Sequence, residues 1–140
     1  MRRLSGPGLG LLLMMVPAQP AEAQRSPQRQ AAVIEEPRPI PVLPAAFVPF
    51  TISSEVCRND HVPTVGFRVY NVLAQPVAVL RLRGRNSIPL ERSRLRCGIY
   101  VAVWDGTLDG GTRVASPGIY YLQLTIDDRP YTRKVIVPQP

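Results

Sequence analysis

The chain is poor in the residues that do chemistry. It has one histidine, His61, and two cysteines, Cys57 and Cys97. No His, Cys, Asp and Glu fall at metal-ligand spacing, and no glycine motif of the phosphate-cradling kind is present. His61 stands beside Asp60 and far in sequence from Ser87 and Ser116, so it reads as a loop histidine rather than a base. No catalytic residue, metal ligand or cofactor is expected, and the protein is read as a non-enzyme. Lysine is also nearly absent: 16 of the 17 basic residues are arginine and the other is Lys134.

Long apolar runs are missing as well. The only one, LGLLLMMV at 9–16, is too short for the about 20 residues that cross a bilayer. It follows Arg2 and Arg3 and precedes PAQPAEAQ, in which Ala21 and Ala23 match a signal-peptidase site. Residues 1–23 are therefore expected to be a signal peptide cut after Ala23. That would leave a periplasmic or extracellular protein with no transmembrane helix. Loss of residues 1–23 removes two Arg and one Glu and takes the formal charge from +7 to +6.

Prolines fill the next stretch. Pro27, Pro37, Pro39, Pro41 and Pro44 deny residues 24–46 a helix or a central strand, and the composition predicts an extended, disordered linker. From Phe47 the pattern turns to period two, the signature of strands. FVPFTISSEV, VPTVGFRVYN, VAVLRLR, IYVAVW, IYYLQLTI and PYTRKVIV read as six strands, with a turn at VLAQP and a last hairpin at Asp127 and Asp128. No helical period appears. The expectation for 47–140 is a small antiparallel β-sandwich of immunoglobulin-like form.

If successive strands alternate in direction, Cys57 and Cys97 fall at the same pole, and an exported chain favours a disulfide between them. Closing that loop would contribute roughly 3–4 kcal/mol in the chain-entropy model.

The stretch VWDGTLDGGTRVASPGIYYLQL at 103–124 invites a metal-site reading. Counted from Asp105 as the first position of a calcium loop, Asp109 is fifth and Gly110 sixth, but the twelfth is Ser116 instead of Glu. Two carboxylates are too few. Asp105-Gly106 and Asp109-Gly110-Gly111 read instead as turn formers, with Trp104 and Tyr120 closing over them.

Together with VYNVLAQPVAVL (69–80) and TRKVIV (132–137), this stretch resembles the immunoglobulin-like domain of flagellar hook-capping proteins, the FlgD type, here as a free-standing secreted domain. Trp104, Asp105, Gly106, Gly111, Val114, Gly118, Tyr120 and Leu124 carry the resemblance, and Ala74 stands where that pattern has Gly. The resemblance implies a β-sandwich without enzymatic activity. VYNVLAQ is also similar to the sorting domains of type IX secretion cargo, a lesser alternative.

Two surfaces stand out. Arg81, Arg83, Arg85, Arg92, Arg94 and Arg96 lie within sixteen residues, opposed only by Glu91. They form a candidate patch for an anionic glycan or lipid headgroup. Nucleic acid is disfavoured, because the stretch has no aromatic residue for base stacking. In the strand IYVAVW, Tyr100, Ala102 and Trp104 facing inward leaves Ile99, Val101 and Val103 facing out. A strand apolar on both faces is a candidate interaction face for an envelope or secreted protein or for self-association.

Overall fold

Alternation of apolar and polar residues dominates the computed structural model, which describes residues 6, 8, 10, 12–15, 17, 30–39, 45–84 and 86–139. The expected cleavage point after Ala23, the linker residues 24–29 and 40–44, and Arg85 lie outside the described residues. Twelve strands are described: β1 Ala32–Ile34, β2 Arg38–Pro39, β3 Ala46–Ile52, β4 Thr64–Tyr70, β5 Pro76–Val79, β6 Arg81–Leu82, β7 Ser93–Arg94, β8 Gly98–Trp104, β9 Thr107–Leu108, β10 Arg113–Val114, β11 Gly118–Ile126 and β12 Arg129–Val137. Two 3-10 turns, Ser54–Asp60 and Asp109–Gly111, complete them. The first sheet has the order β1-β3-β8-β6, with β2 also on β3; the second has the order β12-β11-β4-β5, with β7 also on β4. Every pairing is antiparallel, and β9 and β10 form a small separate ribbon. The fold is the antiparallel β-sandwich expected.

The core lies between the two sheets. Val48, Phe50 and Ile52 of β3 and Ala102 and Trp104 of β8 face Val65, Phe67 and Val69 of β4 and Leu122, Leu124 and Ile126 of β11. Phe50 meets the edge of Phe67 at 5.4 Å and stacks on Tyr100 at 5.5 Å between ring centroids.

The structure differs from the sequence reading in three places. The first strand stops at Ile52, and Ser54–Asp60 winds into a 3-10 turn whose start is held by the Ser53 hydroxyl accepting from the Glu55 amide. The third strand is two strands in two sheets. β5 pairs with β4, then β6 pairs with β8, and Leu80 between them is fully buried. The backbone there closes a triangle: the Leu80 amide donates to Phe67 O, the Leu90 amide to Leu80 O, and the Phe67 amide to Leu90 O, at 2.7–2.9 Å. Leu90, in what reads as a loop, is therefore a core residue.

The third difference is in the proline-rich stretch, where 32–34 and 38–39 are edge strands on β3 and Ala32 and Ile34 are buried. Proline is compatible with an edge, where one side of the strand needs no partner. The break between β1 and β2 has its own cause. Pro49 accepts from the Glu35 amide at 2.9 Å but has no N–H to return, so pairing lapses and resumes one residue out of step at Arg38 opposite Phe47. Arg133, inward-facing on β12, donates to Ile34 O at 3.1 Å and ties this edge to the other sheet.

Cys57 and Cys97 are bonded, with Cα atoms 6.1 Å apart. The bridge fastens the pole where β3 and β8 meet at Ile52 opposite Gly98. A disulfide of this kind is consistent with an oxidising compartment. Because the cysteines are 40 residues apart, the Cys57→Ser, Cys97→Ser double variant should lose about 4 kcal/mol in chemical unfolding.

The β4–β5 turn yields a second expectation. Ala74 sits at φ 57°, and the Asn71 carbonyl group of the side chain accepts from the Leu73 and Gln75 amides around it. Alanine is strained in that region and glycine is not. Ala74→Gly should therefore stabilise the protein, by about 0.5–1 kcal/mol in the same unfolding measurement.

Candidate interaction surface

The Trp104–Tyr120 loop is built to satisfy itself. Asp105 Oδ1 accepts from the Thr107 amide at 2.9 Å and from its hydroxyl at 2.6 Å. Asp109 holds Arg113 through Nε and Nη2 at 2.8 and 2.7 Å. Trp104 Nε1 donates to Thr107 O, and the Tyr120 hydroxyl donates back to Ser116 O, each at 3.0 Å. The two rings meet edge-on with centroids 5.5 Å apart. Gly106 and Gly111 have φ of 76° and 93°, and the Ala115 amide donates to Gly106 O, so the glycines let the loop double back. Gly118 opens β11 at φ 144°, and Leu124 on that strand is fully buried. Both carboxylates thus serve the turn.

The arginine cluster is contiguous in sequence and divided in space. Arg81 and Arg83 belong to the first sheet, where Arg81 Nε donates to Ser87 Oγ at 3.1 Å and the Arg83 guanidinium lies 4.7 Å over the Phe47 ring. Arg94 is on β7 of the second sheet and reaches Val62 O at 3.5 Å. Arg92 lines a shallow polar groove on that sheet's outer face with Arg68, Tyr70, Gln123 and Thr125. Arg96 precedes Cys97, and its carbonyl accepts from the Tyr100 hydroxyl at 2.6 Å. The chain crosses from one sheet to the other between Arg81 and Arg94, so neighbours in sequence end on different faces. Gly66, in the floor of the groove, is needed there: a Cβ would come within 2.8 Å of Glu91 O.

The outer face of the first sheet is apolar, as the register of β8 predicts. Ala102 and Trp104 point inward and are buried, Ile99 is 79% exposed, and Val101 and Val103 are half-buried. The sheet extends that surface beyond β8. Phe47 pairs with Val103, Pro49 with Val101, Thr51 with Ile99, and Val33 of β1 adjoins Thr51. Phe47, Pro49 and Thr51 were legible as the partners of the buried Val48, Phe50 and Ile52 by strict alternation. Val33 was not, because its segment reads as linker.

His61 finds a partner far along the chain. Its Nε2 lies 2.7 Å from Asp127 Oδ2, while Asp127 Oδ1 accepts from the Thr64 amide at 3.0 Å. Asp127 and Asp128 make the two-residue β11–β12 turn with positive φ at both, as their position predicts. The carboxylate thereby ties that turn to the start of β4. Comparison with protein-family models, curated proteins and solved structures finds no match for this chain.

The Thr64 amide, followed by His61, holds the Asp127 carboxyl below its ordinary value of 3.8. A folded-state value below the unfolded one contributes stability above the unfolded value and loses it as pH falls through the folded one. Asp127→Asn should therefore unfold more easily than the parent at neutral pH. In urea melts at successive pH values the difference should narrow below about pH 4.

Proposed function

We propose that the protein is a non-catalytic interaction module of the bacterial cell envelope, exported and resembling the immunoglobulin-like domain of hook-capping proteins. The observation that carries this reading is the exposed apolar face of the first sheet, with Ile99, Val101 and Val103 at its centre. A solvated antiparallel sheet ordinarily alternates polar outside and apolar inside, and this strand does not. The disulfide supports export, as does the leader-like composition of residues 1–23. The self-satisfied WDG loop fits a structural part for that motif.

A second reading is an anionic glycan or lipid headgroup site. It is favoured at one place, the groove that sets Arg68 and Arg92 beside Tyr70 and Gln123, with Glu91 and Asp128 also in its lining. The two readings respond differently to salt, since a site for an anion weakens as ionic strength rises and an apolar contact does not.

The test compares three versions of the tagged chain in cross-linking to envelope extracts: the parent, Ile99→Glu with Val101→Glu, and Arg92→Ser with Arg94→Ser and Arg96→Ser. The interaction-module reading expects a protein cross-link that survives high salt, is lost in the Glu variant and is kept in the Ser variant. Loss in high salt and in the Ser variant alone would move the function to the anion site. No cross-link above the tag control would end the proposal.

A further inference from the structure

One cross-strand row of the apolar face carries opposite charges at its two ends, and this row points to a partner. Glu35, Pro49, Val101 and Arg83 form one cross-strand row. The Glu35 amide bonds Pro49 O, Pro49 pairs with Val101, and the Arg83 amide bonds Val101 O at 2.8 Å. An acid thus stands at the β1 edge and a cation at the β6 edge, with two apolar residues between them.

A second copy of the chain has the right pattern. Turned about a two-fold axis that lies in the interface and runs parallel to β3 and β8, it sets Pro49 against Val101 of the copy and Glu35 against its Arg83. We propose that this face is a homodimer interface in which two Glu35–Arg83 pairs flank a Pro49–Val101 centre. This rests on the interaction-module reading and names its partner.

Arg83 has two positions in this scheme. In the single chain its guanidinium lies over Phe47 and covers the ring. On docking it leaves the ring for Glu35 of the copy, and Phe47 becomes part of the contact. The neighbouring row, Arg38, Phe47, Val103 and Arg81, has a cation at each end and places Arg38 near Arg81 of the copy. These like charges stand at the same edges as the two Glu35–Arg83 pairs and oppose them, so the apolar centre supplies most of the contact and the Glu35–Arg83 row sets its register. Four strands at 4.8 Å spacing and about six residues of length give a footprint of roughly 400 Å² per copy, which places the dimer in the weak, concentration-dependent class.

The chain is expressed from residue 1, purified as the cell processes it, and run in sedimentation equilibrium across micromolar concentrations. The parent is expected to move from one chain mass to two. Glu35→Arg alone and Arg83→Glu alone should each weaken association about tenfold. An equimolar mixture of these two variants should recover it, because the mixed dimer restores both pairs. Mixing separates the interface from any effect of Arg83→Glu on the fold. A parent that stays monomeric, a dimer indifferent to Ile99→Glu, or a mixture no tighter than either variant would overturn the dimer. If the parent is monomeric and the envelope cross-link is still lost with Ile99→Glu, the module reading stands and only the choice of partner fails.

Discussion

The backbone triangle of Phe67, Leu80 and Leu90 is the joint on which the two sheets depend. The domain has no long helix among its described residues to brace one sheet against the other, so the sheets must share chain. Leu80 does this by leaving the edge of β4 with its amide still bonded to Phe67 O, so that Arg81 and Leu82 can join β8. Leu90 then enters the space β5 has vacated, bonds both neighbours, and lets β7 continue the edge of β4. All three side chains are fully buried, so these backbone groups exchange bonds in a dry interior where an unmade bond would cost about 1–3 kcal/mol. The disulfide secures the opposite requirement, holding the pole where β3 and β8 end.

The N-terminal edge shows how one missing hydrogen places a whole segment. Pro49 sits in β3 between β1 and β8, a position where proline is ordinarily excluded. It is tolerated because its nitrogen faces β1, which has already reached its end, while its carbonyl still accepts from Glu35. The out-of-step resumption puts Arg38 opposite Phe47 and Pro39 opposite Ala46 along the edge of the sheet. Alternation alone puts Glu35 on the outer face, and the bulge brings Arg38 to it opposite Phe47, while Ala32 and Ile34 remain in the core.

Much of this was legible in period two alone. β3, β8, β11 and the Asp127–Asp128 hairpin follow from side-chain alternation and turn chemistry, and so does the outward row Ile99, Val101, Val103. The cysteine pairing followed from strand direction. What was hidden depends on contacts distant in sequence. A three-residue strand flanked by prolines has the composition of a linker, and only its docking on Thr51 and Phe50 distinguishes it. VAVLRLR alternates without a break, so nothing local marks the switch of sheets at Leu80. The arginines look like one patch because they are close in sequence, and that switch is what divides them. The bond from Asp127 to the Thr64 amide spans 63 residues and leaves no local trace.

The two outer faces, compared within one molecule, differ in composition. A genome rich in certain codons, or a general preference for β-branched residues in strands, would act on both sheets alike. The second sheet presents Thr64, Arg68, Gln123, Thr125, Thr132 and Lys134 outward, with Tyr70, Tyr121 and Val79 beside them and further apolar residues at its Ile119–Ile136 end. The first presents Phe47, Pro49, Thr51, Ile99, Val101 and Val103, with Arg38 and Arg81 at its edges and the Arg83 guanidinium held over the Phe47 ring. Apolar area left in water forgoes about 25 cal/mol for each Å² that could be buried. The polar sheet shows that this chain can place Thr, Gln, Arg and Lys in the same register. Ile99 at 79% exposure is therefore a property of the first sheet and not of the chain's composition. The exposed apolar row of the first sheet is the feature on which the interaction-module proposal rests.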